Sequence, residues 1–130
     1  MNEKEIEMCL RQVIDECKRL KIPIDNNINT AISVNRRAKS RFASCKRNKT
    51  HVKDYFCIEV SESLLGAEEK VVKEILFHEV LHTCPKCYNH GPEWKKYADK
   101  INRNYGNNIQ ATATYEELGL KAPERKKKIN

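Results

Sequence analysis

His78-Glu79-Val80-Leu81-His82 is the stretch of this chain whose residue types and spacing could do chemistry. Histidines four apart on a helix project from one face, so both imidazoles can bind a single zinc ion. The glutamate between them lies alongside and can take a proton from a water activated by that metal. From the composition, an accidental match to this pattern has a probability of about 1%. The flanking residues Val71, Val72, Ile75, Leu76, Phe77, Val80 and Leu81 are apolar almost all round the helix. Two histidines and a glutamate without a partner would be costly to bury there, and a metal resolves that cost.

Catalytic zinc usually takes three protein ligands and leaves a fourth position open. His51 and His90 remain as candidates. His90 follows a turn containing Pro85 and precedes Gly91-Pro92, so a chain leaving one helix and starting another can return it to the same metal. We take His90 as the third ligand; His51 lies in a polar, basic loop. Cys84-Pro85-Lys86-Cys87 competes for the role. It reads as half of a structural zinc site completed by Cys45 and Cys57, as a redox pair, or as a tight loop with incidental thiols.

The elements that must position these groups follow from periodicity. Ile6, Leu10, Val13, Cys17 and Leu20 draw one apolar stripe down a first helix, stopped by Pro23. Cys9 and Cys17 fall on its apolar side and read as core. Phe56, Ile58 and Val60 alternate with Tyr55, Cys57 and Glu59, the pattern of a half-buried strand. With weaker strands at 31–35 and 40–47, the expectation is a small antiparallel sheet. A second helix runs from Ala67 to about Thr83, with Glu68 and Glu69 in its first turn. Pro92 opens a third, with Trp94, Tyr97, Ala98, Ile101 and Tyr105 on one face and Gly106 ending it. Residues 109–120 receive no assignment. The fold class is α+β, one domain over 1–120 with a basic, disordered tail at 121–130.

The net charge of +7 is unevenly placed. Arg36, Arg37, Lys39, Arg41, Lys46, Arg47, Lys49 and Lys53 fall in one acid-free block, and the tail is also basic, on an otherwise acidic body. That asymmetry is the footprint of a polyanion binder. Arg36, Arg37, Lys39, Arg41, Lys46 and Arg47 are the candidate nucleic-acid contacts. Phe42 among them can stack on an unpaired base, favouring single-stranded DNA, or can belong to the core. At 130 residues, with 39% hydrophobic and 33% charged residues, the chain makes a modest core without staples. No apolar run approaches the roughly 20 residues of a membrane span, and the charged start is not that of a signal segment. The six cysteines are therefore expected to be reduced, and the compartment cytoplasmic.

Taken together, these residues resemble the SprT-like family of zinc metallopeptidases. The resemblance runs from about Ala31 to Tyr105. It rests on the basic stretch Val34–Arg41, the extended Phe56–Ser61 leading to Leu64-Leu65, the Ile75–His82 helix, and His90-Gly91-Pro92-Glu93-Trp94. The last of these, combined with the His-Glu-x-x-His element, is far more specific than that element alone. The resemblance implies a small zincin-like domain in which His78, His82 and His90 bind zinc and Glu79 is catalytic. It also implies proteins bound or crosslinked to DNA as substrates. Many members carry a cysteine-rich ribbon after this core, whereas no cysteine follows Tyr105 here.

The resulting expectation is a zinc-dependent protease with Glu79 as general base, acting on a protein or peptide. Tyr88, Tyr97, Tyr105 and Tyr115 are the candidates for stabilising the oxyanion. Three alternatives stand beside it: a regulatory zincin of another family cutting a repressor, a nucleic-acid-binding module with a structural metal, and a protein using the fold for interaction only.

Overall fold

The computed structural model describes residues 1–37 and 41–112. Lys39, Tyr115 and the tail 121–130 lie outside them. A first helix, α1 (Glu3–Arg19), begins at a reciprocal cap in which Asn2 Oδ1 accepts from the Glu5 amide at 2.9 Å and the Asn2 amide donates to Glu5 Oε1 at 3.2 Å. Such a cap contributes about 1 kcal/mol. Its buried face is Ile6, Cys9, Leu10, Val13 and Cys17, the expected stripe except for Leu20, which caps the helix and is half-buried. The helix stops before Pro23 is reached, with Lys21 in the left-handed region (φ 57°) turning the chain out.

Three strands follow: β1 (Ser33–Asn35), β2 (Ala43–Asn48) and β3 (Tyr55–Ser61). Their order is β1-β3-β2, so β3 is central. β2 pairs antiparallel with β3, Cys45 opposite Ile58, but β1 pairs parallel with it, Val34 opposite Val60. The sheet is thus mixed, which corrects the expectation of a wholly antiparallel one. Each successive strand does reverse direction. However, the link from β1 to β2 leaves a strand's width between them, and β3 returns into that gap. Phe56, Ile58 and Val60 point to the core as their alternation requires.

After β3 a short 3₁₀ turn (Glu62–Gly66), absent from the sequence reading, feeds α2 (Glu69–Leu81). This helix lies between α1, β2 and α3 (Pro92–Tyr105), burying Val72, Leu76, Phe77, Val80 and Leu81. Lys73 Nζ donates to Glu16 Oε1 at 2.8 Å and ties α2 to α1. Trp94, Ala98 and Ile101 form the buried face of α3, which ends at Gly106 with φ 66°, a conformation glycine adopts without penalty. Among the described residues, no helix is long and apolar enough to cross a membrane.

Candidate metal centre

The last turn of α2 and the loop entering α3 build the site. His78 lies one turn above His82, and the loop brings His90 back beside both. One ring nitrogen from each histidine falls within 4.8 Å of the others. The Nε2 atoms of His78 and His90 are 2.9 Å apart. Zn–N bonds of about 2.0–2.1 Å in a tetrahedron put ligand nitrogens roughly 3.3 Å apart, so modest side-chain adjustment admits the ion. Three convergent imidazoles are a donor set that suits zinc.

Backbone carbonyls orient two of the rings. His78 Nδ1 meets the Gln110 carbonyl at 2.8 Å and His82 Nδ1 meets the Cys87 carbonyl at 2.8 Å. A carbonyl oxygen can only accept, so each Nδ1 carries a proton, and the tautomer this selects in a neutral ring leaves Nε2 as the ligand atom. Trp94 forms the floor, its ring centroid 4.9, 6.1 and 4.7 Å from those of His78, His82 and His90. Its Nε1–H also donates to the His78 carbonyl at 3.3 Å. A Cβ at Gly91 would meet Asn89 Oδ1 at 2.9 Å, so the Asn89 side chain, which accepts from the Gly91 amide at 3.1 Å, would have to shift.

Glu79 is 7% exposed, and its Oε1 lies 3.9 Å from His78 Nε2. Burial pushes its pKa up to about 7, with the Arg41 charge opposing weakly. A cation held by the histidines would add positive charge beside it and draw its pKa back down. Burial likewise lowers His78 to about 4, despite the Gln110 carbonyl, and the neighbouring histidines add to this. His90 is lowered by burial, His82 and Lys95. A ring held neutral is one ready to bind metal.

Beside this pair lies a cleft of about 210 Å³ lined by Arg41, Phe42, Ala43, Ile75, His78, Glu79, Gln110, Ala111 and Thr112. Phe42 therefore sits in the cleft wall. Cys45 faces Glu79 from β2, its thiol pushed up to about 12 by burial, by Glu79 and by Cys57. It presents a neutral group to the carboxylate.

The structure brings together His78, Glu79, His82 and His90, and leaves the other candidates apart. Cys84 and Cys87 are fully buried in the core, their thiol pKa values raised chiefly by burial. They bracket a tight turn with Pro85 second and Lys86 third at φ 63°, closed by the Cys87 amide on the Cys84 carbonyl at 3.2 Å. Among the described residues no cysteine joins a metal-holding group. Tyr105 stacks on Phe77 and donates to the Glu16 carbonyl, while Tyr88 bonds Arg47; neither lines the cleft, nor does Tyr97.

Three of the block's four arginines stand beside acids, and exposed Arg37 has no ion pair among the described residues. Arg36 pairs with Glu62 at 3.0 Å, Arg41 with Glu59 at 3.9 Å and Arg47 with Asp54 at 2.6 Å. Lys46, Lys49 and Lys53 are exposed on the β2–β3 hairpin, with no ion pair among the described residues. The Gln110 and Cys87 carbonyls are the functional groups that sequence reasoning missed, since every residue has a carbonyl and no residue type flags these two.

A helix presenting His-Glu-x-x-His over a small mixed sheet, with a third histidine returned by the next loop, defines a zincin-like domain. The chain belongs to the SprT-like family, whose model matches residues 6–115 and so takes in α1 and the segment after α3 as well. No curated protein and no solved structure gives a significant match.

Proposed function

We propose that this chain is a zinc metallopeptidase that hydrolyses peptide bonds in the cytoplasm. The observation carrying this reading is the convergence of three imidazoles beside a desolvated carboxylate at an open cleft. Zinc held by His78, His82 and His90 would supply the Lewis acidity that makes water nucleophilic near neutral pH. Glu79 takes the proton of the attacking water and hands it to the leaving amine. Arg41, which lines the cleft where Tyr88, Tyr97 and Tyr105 do not, is the group we favour to stabilise negative charge on the carbonyl oxygen. β2 is an edge strand, so an extended peptide can add to it through backbone hydrogen bonds as it crosses the cleft.

The test is metal analysis joined to a protease assay. Purified protein should hold about one zinc per chain, and His78→Ala, His82→Ala or His90→Ala should each lose both metal and hydrolysis. Retention of zinc by all three variants would sink the reading.

Proteins held on DNA, single-stranded by preference, are the substrates we favour. The exposed lysines of the β2–β3 hairpin support this, since β2 also borders the cleft. Phosphate bound there would leave a DNA-associated protein within reach of Glu79.

A further inference from the structure

Residues 107–112 carry no sequence pattern, yet Gln110, Ala111 and Thr112 among them line one wall of the cleft, and Gln110 meets His78 directly. α3 ends at Gly106, whose left-handed backbone turns the chain back toward α2. Three hydrogen bonds among the described residues help to fix the returning segment. The Asn108 amide donates to Glu74 Oε1 at 3.2 Å, on the flank of α2. The Ile109 amide donates to Asn102 Oδ1 at 2.8 Å, and Asn102 Nδ2 donates to the Ile109 carbonyl at 3.3 Å. Asn102 thus grips both backbone groups of one residue, as a neighbouring strand would. Ile109 is 6% exposed and anchors in the core. The next carbonyl, that of Gln110, receives His78 Nδ1–H at 2.8 Å.

We infer that residues 107–111 form a clasp that presets His78 for the metal, with Asn102 as the positioning residue that holds the clasp shut. The inference rests on the reading of His78 as a zinc ligand. An imidazole has two tautomers, and only the one protonated at Nδ1 offers Nε2 to the ion. The Gln110 carbonyl selects that tautomer and fixes the ring plane before any metal arrives. Asn102 acts through one intermediary: without it the Ile109 backbone groups lose these two partners, and the hold on the neighbouring Gln110 carbonyl loosens. His82 has a separate support in the Cys87 carbonyl, so the clasp governs one ligand and leaves the other untouched.

The experiment uses the full chain and two variants. Asn102→Ala breaks the clasp. Asn104→Ala removes a comparable side-chain bond, to the Lys100 carbonyl at 2.8 Å, on the same helix but away from the segment. Zinc affinity by chelator competition should fall about 10- to 100-fold in Asn102→Ala and stay unchanged in Asn104→Ala. Hydrogen exchange should show the Ile109 amide deprotected in the first variant alone. A zinc affinity in Asn102→Ala equal to the wild type's would overturn the clasp.

A second measurement needs no variant and no metal. The ring-nitrogen resonances of His78 in the metal-free wild-type chain should report Nδ1 protonated and Nε2 bare. The reverse tautomer overturns the inference, whether or not Asn102→Ala folds. Wild-type protein that binds no zinc at all would instead overturn the metallopeptidase reading and, with it, the role given to His78.

Discussion

Replacing Glu79 by glutamine separates what the carboxylate does for chemistry from what it costs the fold. The change keeps shape and removes charge. In the metal-free protein burial raises Glu79 from 4.5 to about 7. A group whose folded pKa lies above its unfolded one supports folding while protonated, and that support is lost as pH rises through the folded value. Two and a half pKa units at 1.36 kcal/mol each give a penalty of about 3 kcal/mol once the pH is well above 7. His78 acts in the opposite sense: its value, lowered from 6.5 to about 4, costs stability as pH falls below 6.5. Both proteins carry that contribution, so it cancels in their difference. Urea unfolding of the metal-free proteins should find Glu79→Gln more stable than wild type by roughly 3 kcal/mol at pH 8 and nearly equal to it at pH 4.5. With zinc bound, the nearby cation favours the ionised carboxylate, and the gap at pH 8 should shrink. Hydrolysis should drop by about 10²- to 10⁴-fold while zinc content holds, because an amide cannot accept the proton. Matching stabilities at pH 8 would refute the desolvation argument, and undiminished hydrolysis would refute the base.

Arg41→Ala should lower kcat by about 10²-fold with a smaller change in KM, if its charge acts mainly in the transition state; an effect on KM alone would make it a binding group. The double variant Cys84→Ser, Cys87→Ser should keep its zinc and lose about 1–3 kcal/mol per site in thermal unfolding, because each hydroxyl enters an apolar core. Zinc lost in step with activity at normal stability would instead make the thiols ligands. Reversing Lys46, Lys49 and Lys53 to Glu should weaken binding to a single-stranded oligonucleotide and flatten its salt dependence by about two units of slope. Arg36→Glu with Arg41→Glu should do less, since Glu62 and Glu59 already offset those charges. Unchanged anisotropy titrations in the lysine variant would remove DNA from the reading.

Local signals in the sequence located what depends on local structure. The α1 stripe, Pro92 opening α3 and Gly106 ending it all follow from helix periodicity and caps, and the structure places them there. The His78–His82 pair was legible because its chemistry needs only helical spacing. His90 was reachable by counting ligands and asking where the chain could turn. What escaped depends on residues far apart in the chain. The parallel pairing of β1 with β3 is set by which strand fills the gap, and nothing in either strand encodes that. The partners of the arginines, such as Glu62 for Arg36, lie across the fold, so eight like charges overstated the free positive charge. The tyrosines had no spacing to separate them, and only the cleft wall brings Arg41 forward.

The position of the ligands at the end of α2 also has an energetic logic. The last turn of a helix carries partial negative charge from its unpaired carbonyls, which favours a cation there. Ending the helix at Leu81 lets the Cys84–Cys87 turn follow at once, so one short loop both supplies the carbonyl for His82 and returns His90. The same compactness buries Glu79 and His78 where, in the metal-free protein, the Arg41 charge offsets only part of the cost of desolvating the carboxylate. For a domain of ordinary stability, about 5–15 kcal/mol, a 3 kcal/mol penalty at neutral pH is a large fraction of the total. A metal held at the histidines would remove that penalty and add its own mass-action term, so zinc loading and folding would be coupled through Glu79. On the proposed reading, the residue that moves the proton would also make the folded state depend on the ion.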